Sequence, residues 1–198
     1  MEYENYNIDL EKPELIKSKG TDILGVGLKY KYDTRDRDMN SRKGQYFLYE
    51  LIDYRDLDGG NFIKSNIDYK GFKSITENQV IGFQSNLRIN NGDVPFQRLE
   101  SLGDHSLLRG YLGSRYIDKN LFAFQVEYRY PIYKKISGVA FGGMGKVYND
   151  KFTLDEMKSS SGLGIRYNLS KEQGVNLRFD YAVGEDGGEF YINIGEAF

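Results

Sequence analysis

The stretch 120–131, "NLFAFQVEYRYP", alternates without a break. Phe122, Phe124, Val126, Tyr128 and Tyr130 fall on one face, and Ala123, Gln125, Glu127 and Arg129 on the other. Successive side chains of an extended chain point to opposite sides. The stretch therefore reads as a β-strand with one aromatic face and one polar face. The same period of two returns at 174–183, 162–169, 79–90 and 22–32. It is weaker at 44–55, 61–72, 137–148 and 188–198, and weakest at 2–10. A helical period is nearly absent. Turn chemistry separates the strands, in "YDTRDRDMNSRKG", "DLDGG", "KSITEN", "PIYKK", "NLSKEQG" and "GEDGG". The longer connections are 11–20, 91–119 and 149–159. No linker, repeat or composition break divides the chain, so residues 1–198 read as a single all-β domain.

The two faces differ in a way that bears on the class of fold. The polar face carries long side chains of both signs, among them Lys29, Lys31, Lys64, Asp68, Lys70, Arg88, Glu127, Arg129, Arg166, Arg178 and Asp180. The other face is aromatic and rich in Leu and Ile on strand after strand. Strands of about ten residues are long enough to cross a bilayer at a tilt, whereas strands of soluble sandwiches average about half that. A transmembrane antiparallel up-and-down β-barrel fits this pattern, and a soluble β-sandwich binding module is the alternative. Even numbers of strands are the rule in bacterial single-chain barrels, so we expect about ten, or about eight if weak segments merge.

Composition agrees with both. Mean hydropathy is -0.60, as expected when lipid-facing and inward-facing residues alternate. No run of about 18 apolar residues marks a transmembrane helix. Aromatics reach 15%, with 17 Tyr, 12 Phe and no Trp, and Tyr suits a membrane interface. The net charge of -2 with mixed signs leaves no basic patch for nucleic acid. With no Cys, disulfides and thiolate metal sites are excluded. "MEYENYNIDL" lacks the basic and apolar regions of a signal peptide.

Catalytic and metal chemistry find little support. His105 neighbours Asp104, Ser101 and Ser106, but triad members must converge from separate positions, and these are neighbours on one loop. "DTRDRD" and "DLDGG" lack calcium-loop spacing. Gly142, Gly143 and Gly145 precede no helix, so they do not make a phosphate loop. No metal, cofactor or enzymatic activity is implied.

The central stretch "VPFQRLESLGDHSLLRGY", followed by "FAFQVEYRYPI", resembles the bacterial surface antigen family, the BamA-type superfamily of outer-membrane assembly and translocation barrels. In that family a (V/L)RG(F/Y) loop folds back into the barrel lumen, and Leu108, Arg109, Gly110 and Tyr111 match it. Glu127, Arg129 and Pro131 match the family's E-x-R-x-P strand. "LGVGLKYKYDTRD" and "GLGIRYNLS…GVNLRFDYAVG" resemble further strands, so the similarity spans about 20–198. The family's F-x-D-x-G pattern departs here, since "FGGMGKV" puts Gly143 in the Asp position. Glu127 and Asp180, inward by parity, are then the candidate partners of Arg109, because a poorly solvated arginine needs a paired charge.

The end of the chain, "GGEFYINIGEAF", resembles the C-terminal signal of outer-membrane barrels, with Phe190, Ile192, Ile194 and Phe198 on one face and Glu196 interrupting it. The resemblance implies the C-terminal part of such a barrel, without POTRA domains, in the bacterial outer membrane. It implies a role in outer-membrane protein insertion or polypeptide translocation. The partners would be outer-membrane lipids and unfolded outer-membrane proteins or secreted polypeptides. A structural or pore-type barrel is the second reading, and the sequence sets no oligomeric state.

Overall fold

The structure is a computed structural model that describes residues 23–56, 60–113, 115–170 and 174–198. Eleven strands follow in chain order: β1 (Ile23–Asp33), β2 (Gly44–Asp56), β3 (Asn61–Thr76), β4 (Gln79–Gly92), β5 (Glu100–Leu102), β6 (Tyr116–Asp118), β7 (Asn120–Tyr133), β8 (Ile136–Tyr148), β9 (Lys158–Ser170), β10 (Val175–Gly184) and β11 (Gly187–Ile194). The described residues contain no α-helix, only a 3-10 turn at Phe96–Arg98.

Nine of the strands form one antiparallel sheet in the order β1-β2-β3-β4-β7-β8-β9-β10-β11. Each strand pairs with its neighbour in sequence except at the central connection, where β4 pairs with β7. β5 and β6 pair only with each other, inside that connection. The main sheet therefore has nine described strands rather than about ten. Segment 2–10, the weakest expected strand, lies outside the described residues. The connection 91–119, expected to be irregular, holds two three-residue strands too short for periodicity to reveal.

Alternation sorts the side chains as the periodicity predicts. On β7, Ala123, Gln125, Glu127 and Arg129 are buried while Phe124 and Val126 are exposed. On β9 and β10, Leu163, Ile165, Tyr167, Phe179 and Tyr181 face outward while Arg166, Arg178 and Asp180 are buried. The sheet curls around this inner face. Arg129 on β7 donates to the carbonyl of Ser41 in the β1–β2 connection. Gly174, before β10, sits against Arg37 and Asn40 of the same connection. β1 and β11 are the edges, and no ladder joins them among the described residues.

The chain after β11 corrects one expectation. Phe190, Ile192 and Ile194 do face outward, the first of them 80% exposed, but Phe198 does not join them. Gly195 takes a positive φ of 92°, a region open mainly to glycine. Its N–H donates to the Asn176 carbonyl at 2.8 Å, and the alternation is broken there. Glu196 and Phe198 turn inward. Phe198 packs on Phe72 of β3 with ring centroids 5.9 Å apart, and Arg129 donates to its main-chain oxygen at 3.1 Å. The break also accounts for Glu196, whose carboxylate leaves the apolar face.

Phe198→Ala should destabilise the chain by about 3 kcal/mol, the low end for emptying a buried phenylalanine site. Phe190→Ala, at an outward site, should cost much less in detergent. Denaturant titration of both variants tests this, and equal losses would contradict the inward placement of Phe198.

Candidate functional site

Residues 103–113 lie between the two short strands of the central connection and pack against the inner face of the sheet. Two local features aim the Arg109 side chain. Leu108 has a φ of 52°, uncommon for a residue with a Cβ, and Gly110 has a φ of 105°. Gly110 is also required by space, since a Cβ there would meet Gly184 N at 3.0 Å and Val183 C at 3.1 Å on β10. The Gly110 N–H donates to the Tyr191 hydroxyl at 2.9 Å. The Tyr111 hydroxyl donates to the Ser159 carbonyl at 2.6 Å.

Arg109 thus comes to lie between two carboxylates on different strands. Its Nη2 is 2.5 Å from Glu127 Oε1 on β7, and its Nη1 is 2.5 Å from Asp180 Oδ2 on β10. All three side chains are fully buried. The guanidinium stacks over the Phe141 ring of β8, 3.5 Å from its centroid, which adds a cation–π attraction. A planar fork with several donors can hold two carboxylates at once, which an ammonium does less well.

The cluster extends beyond this pair. Arg166 on β9 reaches Asp180 Oδ1 at 2.5 Å and Glu196 Oε2 at 2.7 Å. Arg129 reaches Glu127 Oε2 at 3.0 Å. Arg178 lies 3.6 Å from Asp180 Oδ2 and donates to the His105 carbonyl at 2.8 Å. Four guanidinium groups meet three side-chain carboxylates, with contributions from β7, β9, β10, the loop and the tail. Each carboxylate has at least two cationic neighbours, and a buried charge persists on such terms.

Other contacts hold the same connection. Glu100 on β5 takes Lys64 Nζ at 2.6 Å and Arg88 Nη1 at 3.0 Å, tying its start to β3 and β4. Gln125 Nε2 donates to the Ser106 carbonyl at 2.6 Å, and Gln125 Oε1 accepts the Leu108 N–H at 3.2 Å. Asp186 in the β10–β11 turn binds Arg115 and the Tyr116 hydroxyl at its end. Leu102, Leu107, Leu108 and Tyr111 form a buried apolar cluster with Leu121 and Ala123.

Sequence reasoning missed Glu100, Gln125, Asp186, Tyr191 and the inward role of Glu196. Strand parity carried a signal for Gln125 and Tyr191, and Gly195 carried one for Glu196. Nothing local marked Glu100 or Asp186, whose partners are distant in the chain. The Gly143 departure has a steric counterpart, since a Cβ there would meet Leu108 Cδ1 at 3.0 Å and Phe124 O at 2.6 Å. The loop leucine occupies the space that a larger residue would need.

The residues around His105 form a turn. Asp104 Oδ1 accepts the Ser106 and Leu107 N–H groups and the Ser106 hydroxyl. Burial pushes the Asp104 carboxyl up, but these hydrogen bonds outweigh it and hold it below the usual carboxylate range. No cluster of His, Cys, Asp or Glu able to hold a metal occurs among the described residues.

The Omp85 superfamily domain matches residues 1–198. The chain belongs to the Omp85 superfamily. Among solved structures, this Omp85 chain is similar to BamA from Haemophilus ducreyi lacking POTRA domains 1-3, with a TM-score of 0.67 and 16% identity. The match covers 86% of this chain and 41% of that one, so the Omp85 chain spans less than half the length of the BamA structure. At that identity the likeness speaks for the fold: all-β, antiparallel and up-and-down. No curated protein matches the sequence.

Arg109→Ala should cost about 3–5 kcal/mol, because it leaves two buried carboxylates short of a partner. It should also open residues 103–113 to protease. Arg109→Lys should recover only part of the loss, since a single ammonium cannot reproduce the fork. Stability equal to wild type with an intact loop would show that the cluster does not hold it.

Proposed function

We propose that the nine-stranded sheet is part of the wall of a transmembrane β-barrel in the bacterial outer membrane. The loop carrying Leu108, Arg109, Gly110 and Tyr111 lies in the lumen, and Phe190, Ile192 and Ile194 belong to the lipid-facing end of the wall. The chain takes part, without enzymatic chemistry, in inserting outer-membrane proteins or translocating polypeptides. Its partners are outer-membrane lipids and unfolded outer-membrane or secreted polypeptides.

One observation carries the membrane part of this reading. Large apolar side chains are exposed along the outward face of β1, β9 and β11, including Leu28 at 59%, Leu163 at 66% and Ile192 at 69%. A soluble protein rarely leaves so large an apolar surface uncovered, whereas lipid would cover it. Superfamily membership supports the insertion or translocation part. The chain should then need detergent and show heat-modifiable mobility, and a monodisperse monomer in plain buffer would refute the membrane reading. Phe124→Arg, midway along β7, should cost about 2–4 kcal/mol in a bilayer. Asn193→Arg, on the opposite face of β11, should cost less.

A structural or pore-type barrel is the second reading, and uneven filling of the interior favours it. The β7–β10 side is sealed by the buried ion cluster, while Lys29 on β1 and Lys64 on β3 keep side-chain exposures of 45% and 28%. Reconstitution in liposomes separates the two readings. An assembly factor should accelerate folding of other barrel proteins beyond the effect of an unrelated barrel. No acceleration would leave the structural reading in front.

A further inference from the structure

A cavity of about 370 Å³ opens at the end of the sheet that carries the β1–β2, β3–β4, β7–β8 and β9–β10 connections. Its rim and floor are strongly cationic. Arg37 and Arg42 come from the β1–β2 connection, Lys134 and Lys135 from the β7–β8 turn, and Arg129 and Arg166 from the wall below. Glu196 is the one carboxylate among the described lining residues, and Arg166 and Asn176 already hold it, at 2.7 Å and 2.6 Å. Arg129 and Arg166 are committed to the buried cluster, where four guanidinium groups meet three side-chain carboxylates and the main-chain oxygen of Phe198. Asp36 offsets part of the rim charge, but its Oδ1 is taken by the N–H groups of Arg42 and Lys43.

The rim lysines sit where the backbone does not favour them. Lys134 and Lys135 form a two-residue turn between the paired residues Tyr133 and Ile136, and Lys134 has a φ of 49°. Glycine or asparagine is the usual choice at such a position. A lysine there places charge at the mouth against local conformational preference, and such outliers gather at functional sites. Asn40 and Asn78 add amide groups to the same rim. The arrangement combines guanidinium forks, ammonium groups and amides around a cavity whose one carboxylate among the described lining residues is internally satisfied. It suits an oxyanion with more than one negative charge.

We propose that this cavity binds a phosphate group. The source is either a soluble phosphate compound entering along the axis of the sheet or the headgroup of an anionic phospholipid at the rim. The lipid source rests on the membrane reading above, and the soluble source does not.

The test uses the full chain and two probes at constant ionic strength. Inorganic pyrophosphate is added to the chain in nanodiscs of phosphatidylcholine, and phosphatidylglycerol is included in a second set of nanodiscs without added phosphate. Thermal midpoints and native mass spectrometry report binding. Wild type should gain thermal stability and retain the probe in at least one arm. The triple variant Arg42→Gln, Lys134→Asn, Lys135→Ser should bind at least tenfold more weakly. Asparagine at 134 suits the positive φ, so the turn is kept. Lys73→Ser, an exposed lysine outside the lining, should bind like wild type.

Stabilisation by pyrophosphate assigns a soluble ligand, and stabilisation only by phosphatidylglycerol assigns the lipid. Failure of both probes, or equal binding by the triple variant, overturns the proposal. A chain that stays soluble without detergent would refute the membrane reading alone, and the pyrophosphate arm, run in buffer, would still decide the site.

Discussion

The double ion pair of Arg109 with Glu127 and Asp180 is the interaction on which the rest of this structure depends. Its two carboxylates stand on β7 and β10, the first and last of four consecutive strands. One guanidinium can touch both only if the sheet curls between them. Charges this deeply buried are costly when unpaired, so the loop conformation and the curvature of the sheet are energetically linked. Phe141, on β8 between them, supplies a flat surface under the guanidinium. Arg166 and Arg129 then tie the same carboxylates to Glu196 and to the tail, which extends the constraint past β11.

That extension matters because β1 and β11 are edges. Unpaired backbone groups at a sheet edge invite pairing with another strand. Here the tail after β11 crosses the interior and packs Phe198 on Phe72 of β3. Side-chain packing of Phe198 on Phe72, rather than a hydrogen-bonded ladder, joins the tail to β3 among the described residues. Gly195 makes this possible by reversing the side to which the following residues point.

The interior is consequently of two kinds. Along β7 to β10 it is closed by arginines, carboxylates and the apolar cluster of the loop. Along β1 to β3 the inward charges form pairs at similar distances, such as Lys29 with Glu50 at 3.0 Å and Lys70 with Asp68 at 3.6 Å, but with more exposure to solvent. Pairs of that kind contribute little to stability. The fully buried ion pairs are therefore concentrated where the loop is attached.

The sequence by itself determined the strands and their facing. Alternation is a local property, so β1 to β4 and β7 to β10 could be read within a few residues of their ends, as could the inward parity of Glu127 and Asp180. Resemblance to the surface antigen family singled out the Arg-Gly-Tyr stretch before any contact was known. Tertiary structure alone decided which inward groups meet. Arg109 is 71 residues from Asp180, and Lys64 is 36 residues from Glu100. No periodicity encodes a pairing over such a separation, because it depends on how far the sheet curls. The inward turn of Phe198 was hidden for a related reason. Parity carries facing along a strand only while the backbone stays extended, and the positive φ of Gly195 ends that rule one residue after Ile194.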